Sequence, residues 1–445
     1  MSTYEALSRT LLLARDQALM GFNTPTDEQL IEAFERTSVL LVADEANLSA
    51  PAGQHALVAL LNAVARLGVS LRMAIPEVPV LGFQPPIRGK QLRAGLLELG
   101  SDLIPECEAR LGDPREPVNL AFILGDAPWQ GKADLAIRLT GDNWLGTTVP
   151  ASAPAKRWKG SFPIGALIAA GIAAPEVFKL ALRVLGRKLP YPMGDDFLTP
   201  VEGAHIRVAP PDTSTGPYAL GSLDCVSGGA IIHAALFTLL RLPDTTAAIR
   251  VIEPERVDLT NMNRYSLGRR SECGMQKITA LRTWRREGFH IDGFAEAFSS
   301  KTRDLILPFA PCVLVGVDDI QARWAVQREW PAWLGIGATS HFLTVTSSHT
   351  AGQPCAGCLH PYDDPDTSLI PTVSFVSYWA GLLLAIRLLR HHLGQRQDST
   401  EQRIDSSPLR LDQPRAYWKI PVALRQDCPV SCYLGSGTEQ QERFG

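Results

Sequence analysis

Val251-Ile252-Glu253-Pro254-Glu255-Arg256-Val257-Asp258-Leu259-Thr260-Asn261-Met262-Asn263-Arg264-Tyr265, followed by Gly274-Met275-Gln276-Lys277, is the stretch from which the fold reads outward. A short apolar run ends in an acid and gives way to a polar, basic segment. An acidic residue at a strand end can accept hydrogen bonds from ribose hydroxyls. Arg264 and Lys277 fix positive charge of the kind that a reaction splitting the α–β bond of ATP requires. The asparagines can donate amide hydrogens to phosphate oxygens. The plain alternative is a solvated charged loop after a strand.

Upstream, Ala219–Val226 reads as a strand ending in Ser227-Gly228-Gly229, then a helical pattern over His233–Leu240 and a strand over Ala248–Ile252. Strand, glycine turn, helix, strand, acid is the order of a mononucleotide-binding βαβ unit. Such a turn aims backbone N–H groups at a phosphate. As a GxGxxG the turn is poor: Gly229 fits the place of closest approach, but Ser227 and Ile232 stand where glycines are usual. An ordinary βα turn would look the same. Downstream, the pattern predicts a helix over Gly274–Arg285, strands over Cys312–Val317 and Phe342–Ser347, and a polar loop over Gly394–Leu411.

The segment 195–217, with Pro200, Pro210, Pro211 and Pro217 among Gly, Ser and Thr, divides the chain. The half before it also reads as α/β. Strands are predicted at Ser38–Ala43, Val69–Ala74, Val118–Ile123 and Ala133–Arg138, and helices at Ala56–Leu67 and Ile164–Arg183. Both halves therefore read as Rossmann-like sheets.

The 445 residues carry a formal net charge of -3, with 45% hydrophobic and 20% charged residues. That balance argues against a nucleic-acid binder, which would show a basic excess. The start, MSTYEALSRT, lacks a signal-peptide pattern, and Gly165–Ala174 and Ala380–Ile386 are too short to span a bilayer. A cytoplasmic protein without nucleic-acid or membrane partners is expected. In that compartment eight cysteines read as metal ligands or reactive thiols. Cys355-Ala356-Gly357-Cys358 and Cys428-Pro429-Val430-Ser431-Cys432 form two close pairs that suit a tetrahedral Zn²⁺ site. The bland alternative is four unpaired thiols. His341, His349 and His360 read as satisfied polar groups, Trp324, Trp330 and Trp333 as packing, and the acidic stretch 363–366 as a solvated loop.

The acidic strand end, Asn-x-Asn-Arg-Tyr and Gly-x-x-Lys together resemble the ThiF/MoeB and ubiquitin-activating enzyme superfamily. A further match is Val317-Asp318 with Arg323, an aspartate after a buried strand and five residues before an arginine. The resemblance implies an α/β fold of two Rossmann-like ThiF-type domains forming a pseudo-dimer, the second with a zinc knuckle. Residues 1–205 would be a degenerate, inactive adenylation-like domain. Residues 206–445 would be the active one, with Cys355, Cys358, Cys428 and Cys432 on structural zinc.

It also implies ATP held by Gly228, Gly229, Glu253 (where Asp is usual), Asn261, Arg264 and Lys277, with Asp318 on Mg²⁺. Leu7-Ser8-Arg9-Thr10-Leu11 resembles the family's N-terminal helix, whose arginine reaches across the pseudo-dimer; Arg9 is the candidate and Arg15 the fallback. The implied activity is adenylation of the C-terminal carboxylate of a ubiquitin-like carrier protein. Thioester formation and transfer to a conjugating enzyme would follow, in the setting of a bacterial antiphage conjugation operon. The chain would be a monomer with an internal pseudo-dimer, or a dimer. A sulfur-carrier adenylyltransferase and a pseudoenzyme scaffold are the alternatives.

The acceptor thiol is where the sequence departs most from the family: no cysteine lies between Leu359 and Gly381. Elimination leaves Cys273, whose pKa Lys277 and Arg264 would lower. Otherwise Cys273 fills a small apolar position and a thiol on the partner takes the acyl group.

Overall fold

The computed structural model describes residues 2–21, 24–186, 197–363, 370–395, 399–413 and 417–432. The first half supplies β1 (Ser38–Val42), β2 (Ser70–Ala74), β3 (Ala109–Leu111), β4 (Val118–Leu124), β5 (Ala133–Gly141), β6 (Leu145–Pro150) and β7 (Ala204–Arg207). They form one sheet in the order β3-β2-β1-β4-β5-β6-β7. The second half supplies β8 (Ala219–Val226), β9 (Thr246–Ile252), β10 (Phe289–Phe294), β11 (Cys312–Val315), β12 (Trp333–Ser340), β13 (Leu343–Thr350), β14 (Arg403–Ser406) and β15 (Tyr417–Ile420). Their order is β10-β9-β8-β11-β12-β13-β14-β15.

The two orders superimpose strand for strand, β15 being an addition. In each sheet the first five strands are parallel and the following ones antiparallel. The chain is therefore an α/β protein built of two copies of one topology. Each sheet reverses its winding between its first and fourth strands, β1/β4 and β8/β11. A ligand crevice is expected outside the carboxyl ends at such a switch point.

Apolar helices form the layer between the sheets: Pro51–Ala65 and Ile164–Ala173 from the first half, Ala230–Leu239 and Ser374–His392 from the second. Their faces are apolar nearly all round, which fits burial on every side. Small residues allow the close approach. A Cβ on Gly171 would meet the Trp379 ring at 2.8 Å, and one on Gly381 would meet the Ile231 carbonyl oxygen at 2.3 Å. The Tyr378 hydroxyl donates to the Leu167 carbonyl across the layer, at 2.9 Å. One hydrophobic core runs through both halves.

Three expectations need correction. The stretch 394–411 is not only loop: Arg403–Ser406 is β14, paired with β13, and its alternate residues are buried. The helix predicted over Ile164–Arg183 is two helices, the second opening at Pro175 and running to Gly186. Among the described residues the stretch Ile164–Gly186 is long and apolar enough to cross a membrane, but 94% of that apolar window is buried inside the fold. The helix predicted over Gly274–Arg285 contracts to Lys277–Arg282, because Gly274 adopts a left-handed φ of 89°.

Candidate active site and metal centre

The turn after β8 carries the first group of expected residues. Ser227 adopts a φ of 97°, the left-handed conformation usually left to glycine. Its Oγ accepts the Gly229 N–H at 2.8 Å. Gly228 lies beneath Glu253: its N–H donates to Glu253 Oε2 at 2.5 Å, and a Cβ there would meet the Glu253 Cγ at 2.9 Å. Gly228 is thus a packing requirement, while Gly229, Ala230 and Ile231 line the cavity beyond. The other Glu253 oxygen accepts the Glu255 N–H at 2.9 Å. Each oxygen retains a second acceptor site for a ribose hydroxyl.

That cavity, about 680 Å³, lies at the carboxyl ends of β8, β9 and β11, where the topology placed a crevice. Val226, Ile252, Val317 and Phe298 give it an apolar side. Arg9, Asn261, Arg264, Lys277 and Asp318 give it a charged one. The strand-end loop and the Gly-x-x-Lys segment therefore meet in space. Asn261 closes its own turn by accepting the Asp258 N–H at 2.9 Å.

Tyr265 lies between the cations. Its ring centroid is 5.6 Å from the Arg264 guanidinium and 5.4 Å from the Lys277 ammonium. Burial opposes the charge on Lys277, but Tyr265, Glu253 and the hydrogen bond to Glu255 outweigh it and hold the ammonium above its ordinary pKa. The Arg264 pKa is pushed down, chiefly by burial and further by Arg9, against the influence of Tyr265, Asp318 and Asp258. Arg264 donates to the Thr260 carbonyl (2.6 Å) and to Asn263 Oδ1 (2.7 Å). Among the described residues neither Arg9 nor Arg264 has a carboxylate within ion-pair distance, so both cations can accept an anion, as a triphosphate site requires.

Arg9 reaches this cavity from the first helix, Thr3–Ala14, and donates to the Ile370 carbonyl at 2.9 Å. The fallback, Arg15, is paired with Asp27 instead. Asp318 is exposed on the loop leaving β11. Arg323 fixes that loop by donating to the Val317 carbonyl at 2.8 and 3.1 Å. Among the described residues the Asp318 carboxylate has no hydrogen-bond or ion-pair partner, and a carboxylate so placed beside Arg9, Arg264 and Lys277 would suit a Mg²⁺ shared with a bound phosphate.

Among the described residues the first half shows no equivalent of that cation-lined constellation. Where β8 is followed by its glycine turn, β1 is followed by the short helix Glu45–Leu48, and Asn47 is fully buried there. Asn47 donates to Asp126 (3.0 Å) and accepts the Trp158 N–H (3.1 Å). Asp126 leaves β4 as Asp318 leaves β11, but it is tied to Arg157 at 3.1 Å. The crevice is filled by the chain itself.

Cys355, Cys358, Cys428 and Cys432 are all buried, and their sulfurs lie within 4.8 Å of one another. The nearest pairs are Cys355–Cys428 at 3.4 Å and Cys358–Cys432 at 3.3 Å. Zinc–sulfur bonds of about 2.3 Å place tetrahedral sulfurs roughly 3.8 Å apart, so the donor set fits a closed Zn²⁺ site. The extra residue in the second pair is absorbed by Ser431, whose φ of 58° lets its N–H reach the Cys428 carbonyl at 2.9 Å. Gly357 leaves room: a Cβ would meet the Cys428 sulfur at 2.9 Å. Trp324 and Trp330 pack against the cluster, and Trp333 stacks on His391, as packing residues. His341, His349 and His360 are outside the cluster; His349 is satisfied by Ser347 and the Pro354 carbonyl. Asp363 accepts from Gln321 at 2.7 Å, while 364–366 lie outside the described residues.

Cys273 departs from expectation. Its thiol is pushed up by burial, then by Asp258, Asp102 and Glu272, so the lowered pKa expected from Lys277 and Arg264 is not found. It packs against the core as a small apolar residue. Cys225, Cys312 and Cys107 are also pushed up by burial, Cys107 to about 11. Tyr265 and Asn263 belong to the quoted motif yet were not singled out as site residues. Glu255, Thr339 and Thr372 carry no sequence signal of their own.

Two copies of one parallel-dominated topology, with the Arg9, Arg264, Lys277 and Asp318 crevice at the second switch point, define a doubled α/β protein of Rossmann-like sheets. Residues 38–187 match the family model described as the BilD N-terminal domain. The uncharacterized protein y4jF of Sinorhizobium fredii (strain NBRC 101917 / NGR234) is 27% identical over 346 residues, covering 74% of this chain and 61% of its own. The chain thus spans about three fifths of that curated relative. Among solved structures, E. coli MccB is similar at a TM-score of 0.41 and 13% identity, over 66% of this chain and 95% of its own. MccB with selenomethionine MccA gives 0.40 and 15%, over 47% and 66%. PaaA gives 0.34 and 13%, over 42% and 69%.

Proposed function

We propose that this chain binds ATP and Mg²⁺ in the second-half cavity and adenylates the C-terminal carboxylate of a ubiquitin-like carrier protein. The observation that carries the reading is the meeting of Arg9, Arg264 and Lys277, drawn from both halves, around one cavity beside Asp318. A carboxylate oxygen of the carrier attacks the α-phosphorus, the bond to the bridging oxygen breaks, and pyrophosphate leaves. Negative charge grows on the phosphorus-bound oxygens and the leaving group, where the three fixed cations stabilise it. Mg²⁺, held by Asp318, would neutralise phosphate charge. Glu253 and the apolar wall would take the nucleoside. Zinc would be structural. The cysteine cluster pins residues 428–432 against the helix Ile320–Gln327, which begins directly after Asp318 and Asp319.

A thiol of the conjugating enzyme then attacks the acyl carbon of the carrier adenylate, the bond to the phosphate oxygen breaks, and AMP leaves. The BilD match over residues 38–187 supports a bacterial ubiquitin-like conjugation operon as the setting; antiviral defence is the role proposed with it. The test is ATP–pyrophosphate exchange dependent on a ubiquitin-like carrier protein. Asp318→Ala should abolish exchange in a folded protein, and exchange at the wild-type rate would remove Asp318 from the site.

One observation favours a scaffold without catalysis. Both Glu253 oxygens already accept backbone N–H groups, and the Gly228 and Gly229 N–H groups are spent within the turn. That reading requires no exchange from the wild type under any carrier.

A further inference from the structure

The loop that carries Arg264 and Tyr265 is held from behind by the other half of the chain. Arg66, the C-cap residue of the helix Pro51–Ala65, is 1% exposed. Its guanidinium donates to the Met262 carbonyl at 2.6 Å and to the Gly268 carbonyl at 2.8 Å, the two ends of the loop. Asn62, also 1% exposed, donates to the Ser266 carbonyl at 2.8 Å. The Asn62 Oδ1 accepts from Arg66 at 3.0 and 3.2 Å, which fixes the plane of the guanidinium. A second link runs from the first helix. Asn263 donates to Thr10 Oγ1 (2.9 Å) and the Thr372 carbonyl (3.0 Å), and its own oxygen accepts from Arg264.

Burying a whole guanidinium against carbonyls, without a hydrogen-bonded carboxylate, is an expensive way to join two halves. Apolar side chains of similar volume do it as well or better. What a planar fork supplies and apolar packing does not is a fixed geometry between two points of backbone. We infer that the silent half is a positioning device for the second-half site, with Arg66 and Asn62 as the positioning residues that set the Arg264 loop. The inference rests on the adenylation reading for its consequence, but not for its geometry. Neither residue touches the cavity; both act through the backbone from Met262 to Gly268.

The test uses the full chain with Mg·ATP as the probe. Arg66→Met keeps the volume and removes the fork; Asn62→Leu is the second variant should the first not fold. Titration calorimetry should show Mg·ATP binding weakened about ten- to a hundredfold in either variant, with Arg66→Lys recovering part of it. The effect should not add to that of Arg264→Ala, because both act through one guanidinium. Hydrogen exchange over 264–268 should rise while exchange in β8, β9 and β11 stays unchanged. Full additivity with Arg264→Ala, or an unchanged loop exchange, overturns the inference. A wild type that binds no Mg·ATP sinks the adenylation reading instead, and loop exchange alone then decides whether Arg66 positions the segment.

Discussion

Arg9 Nη1 donates to the carbonyl oxygen of Ile370 at 2.9 Å, tying the first helix of the chain to the segment that leads into the helix Ser374–His392 of the other half. The bond holds a cation over the second-half cavity without neutralising it, since a carbonyl carries no charge. Arg9→Ala should therefore lower carrier-dependent ATP–pyrophosphate exchange by about a hundredfold. Arg9 is only part-buried, so thermal unfolding should hardly move. Exchange within about twofold of wild type would return Arg9 to the helix surface.

Nucleotide stoichiometry follows from the filled crevice of the first half. Asn47 and Trp158 occupy the ground that a phosphate would need, and the carboxylate of Asp126 is bound by Arg157. Titration with Mg·ATP should saturate at one nucleotide per chain. A second site would have to use the basic groove at Lys156, Arg157 and Lys159; two equivalent sites would overturn the silent reading of the first half.

Much of this arrangement was legible in the residues. The strand Ala219–Val226 was bounded from its apolar run, and the runs at Ser38, Val118 and Ala133 begin at the observed strand starts. Ser38–Val42 and Val118–Leu124 are buried on both faces and rich in aliphatic side chains, so their sequence is unambiguous, whereas β8 is buried only over its last four residues and β5 alternates. β12 was missed because Gly335 and Gly337 interrupt it. The structure needs both: a Cβ on Gly337 would meet Ile231 at 2.7 Å, and one on Gly335 would press on Trp333 and Leu384. β14, Arg-Ile-Asp-Ser, reads as loop because only its pairing with β13 and β15 makes a strand of so polar a run. At the site, which residues would gather was legible and how they are held was not. Glu253, Arg264, Lys277 and Asp318 line one cavity. That Gly228 is buried beneath Glu253, and that Arg66 braces the loop from behind, depend on contacts between distant segments, which no local pattern encodes.

Acid should destabilise the fold through buried histidines. His55 is fully buried with Gln84 at 2.9 Å, and its pKa is lowered to about 3 by burial and by Arg241. His233 is lowered as well, by burial, Lys277 and Arg66. The unfolded chain takes up these protons below about 6.5, whereas the folded one does not. Their stability is therefore fully present above that pH and is lost as pH falls toward the folded value. The loss is about 1.4 kcal/mol per pH unit for each histidine. Urea unfolding at pH 7.5 and 5.5 should show it, and His55→Gln should flatten part of the slope; an unchanged slope would mean His55 is protonated in the fold.

Metal analysis should return about one zinc per chain, the content of one closed four-thiolate site. Cys428→Ser should lose the metal and lower the melting temperature by about 5–10 °C. Mg·ATP affinity should change far less, because the cluster braces the Asp318 loop only through the helix Ile320–Gln327. A metal-free preparation with unchanged melting and full exchange would leave four packed thiols and no metal centre.

The acceptor thiol is the point on which sequence and structure part. An internal nucleophile needs a thiolate, and so a pKa at or below neutral pH. Cys273 has the opposite environment. Burial and the carboxylates of Asp258, Asp102 and Glu272 raise its pKa, so the neutral thiol persists at neutral pH and ionises only as pH climbs above the ordinary cysteine range. Cys225, Cys312 and Cys107 are raised too, and four further cysteines are gathered in the cluster. Attack by a thiol of the conjugating partner on the carrier adenylate is therefore the expected route. After incubation with ATP, carrier and conjugating enzyme, a non-reducing gel should show the carrier on the partner and not on this chain. Cys273→Ala should leave both that adduct and pyrophosphate exchange intact. A reducible carrier adduct on this chain that disappears in Cys273→Ala, and that strengthens from pH 7 to pH 9, would restore Cys273 as the acceptor.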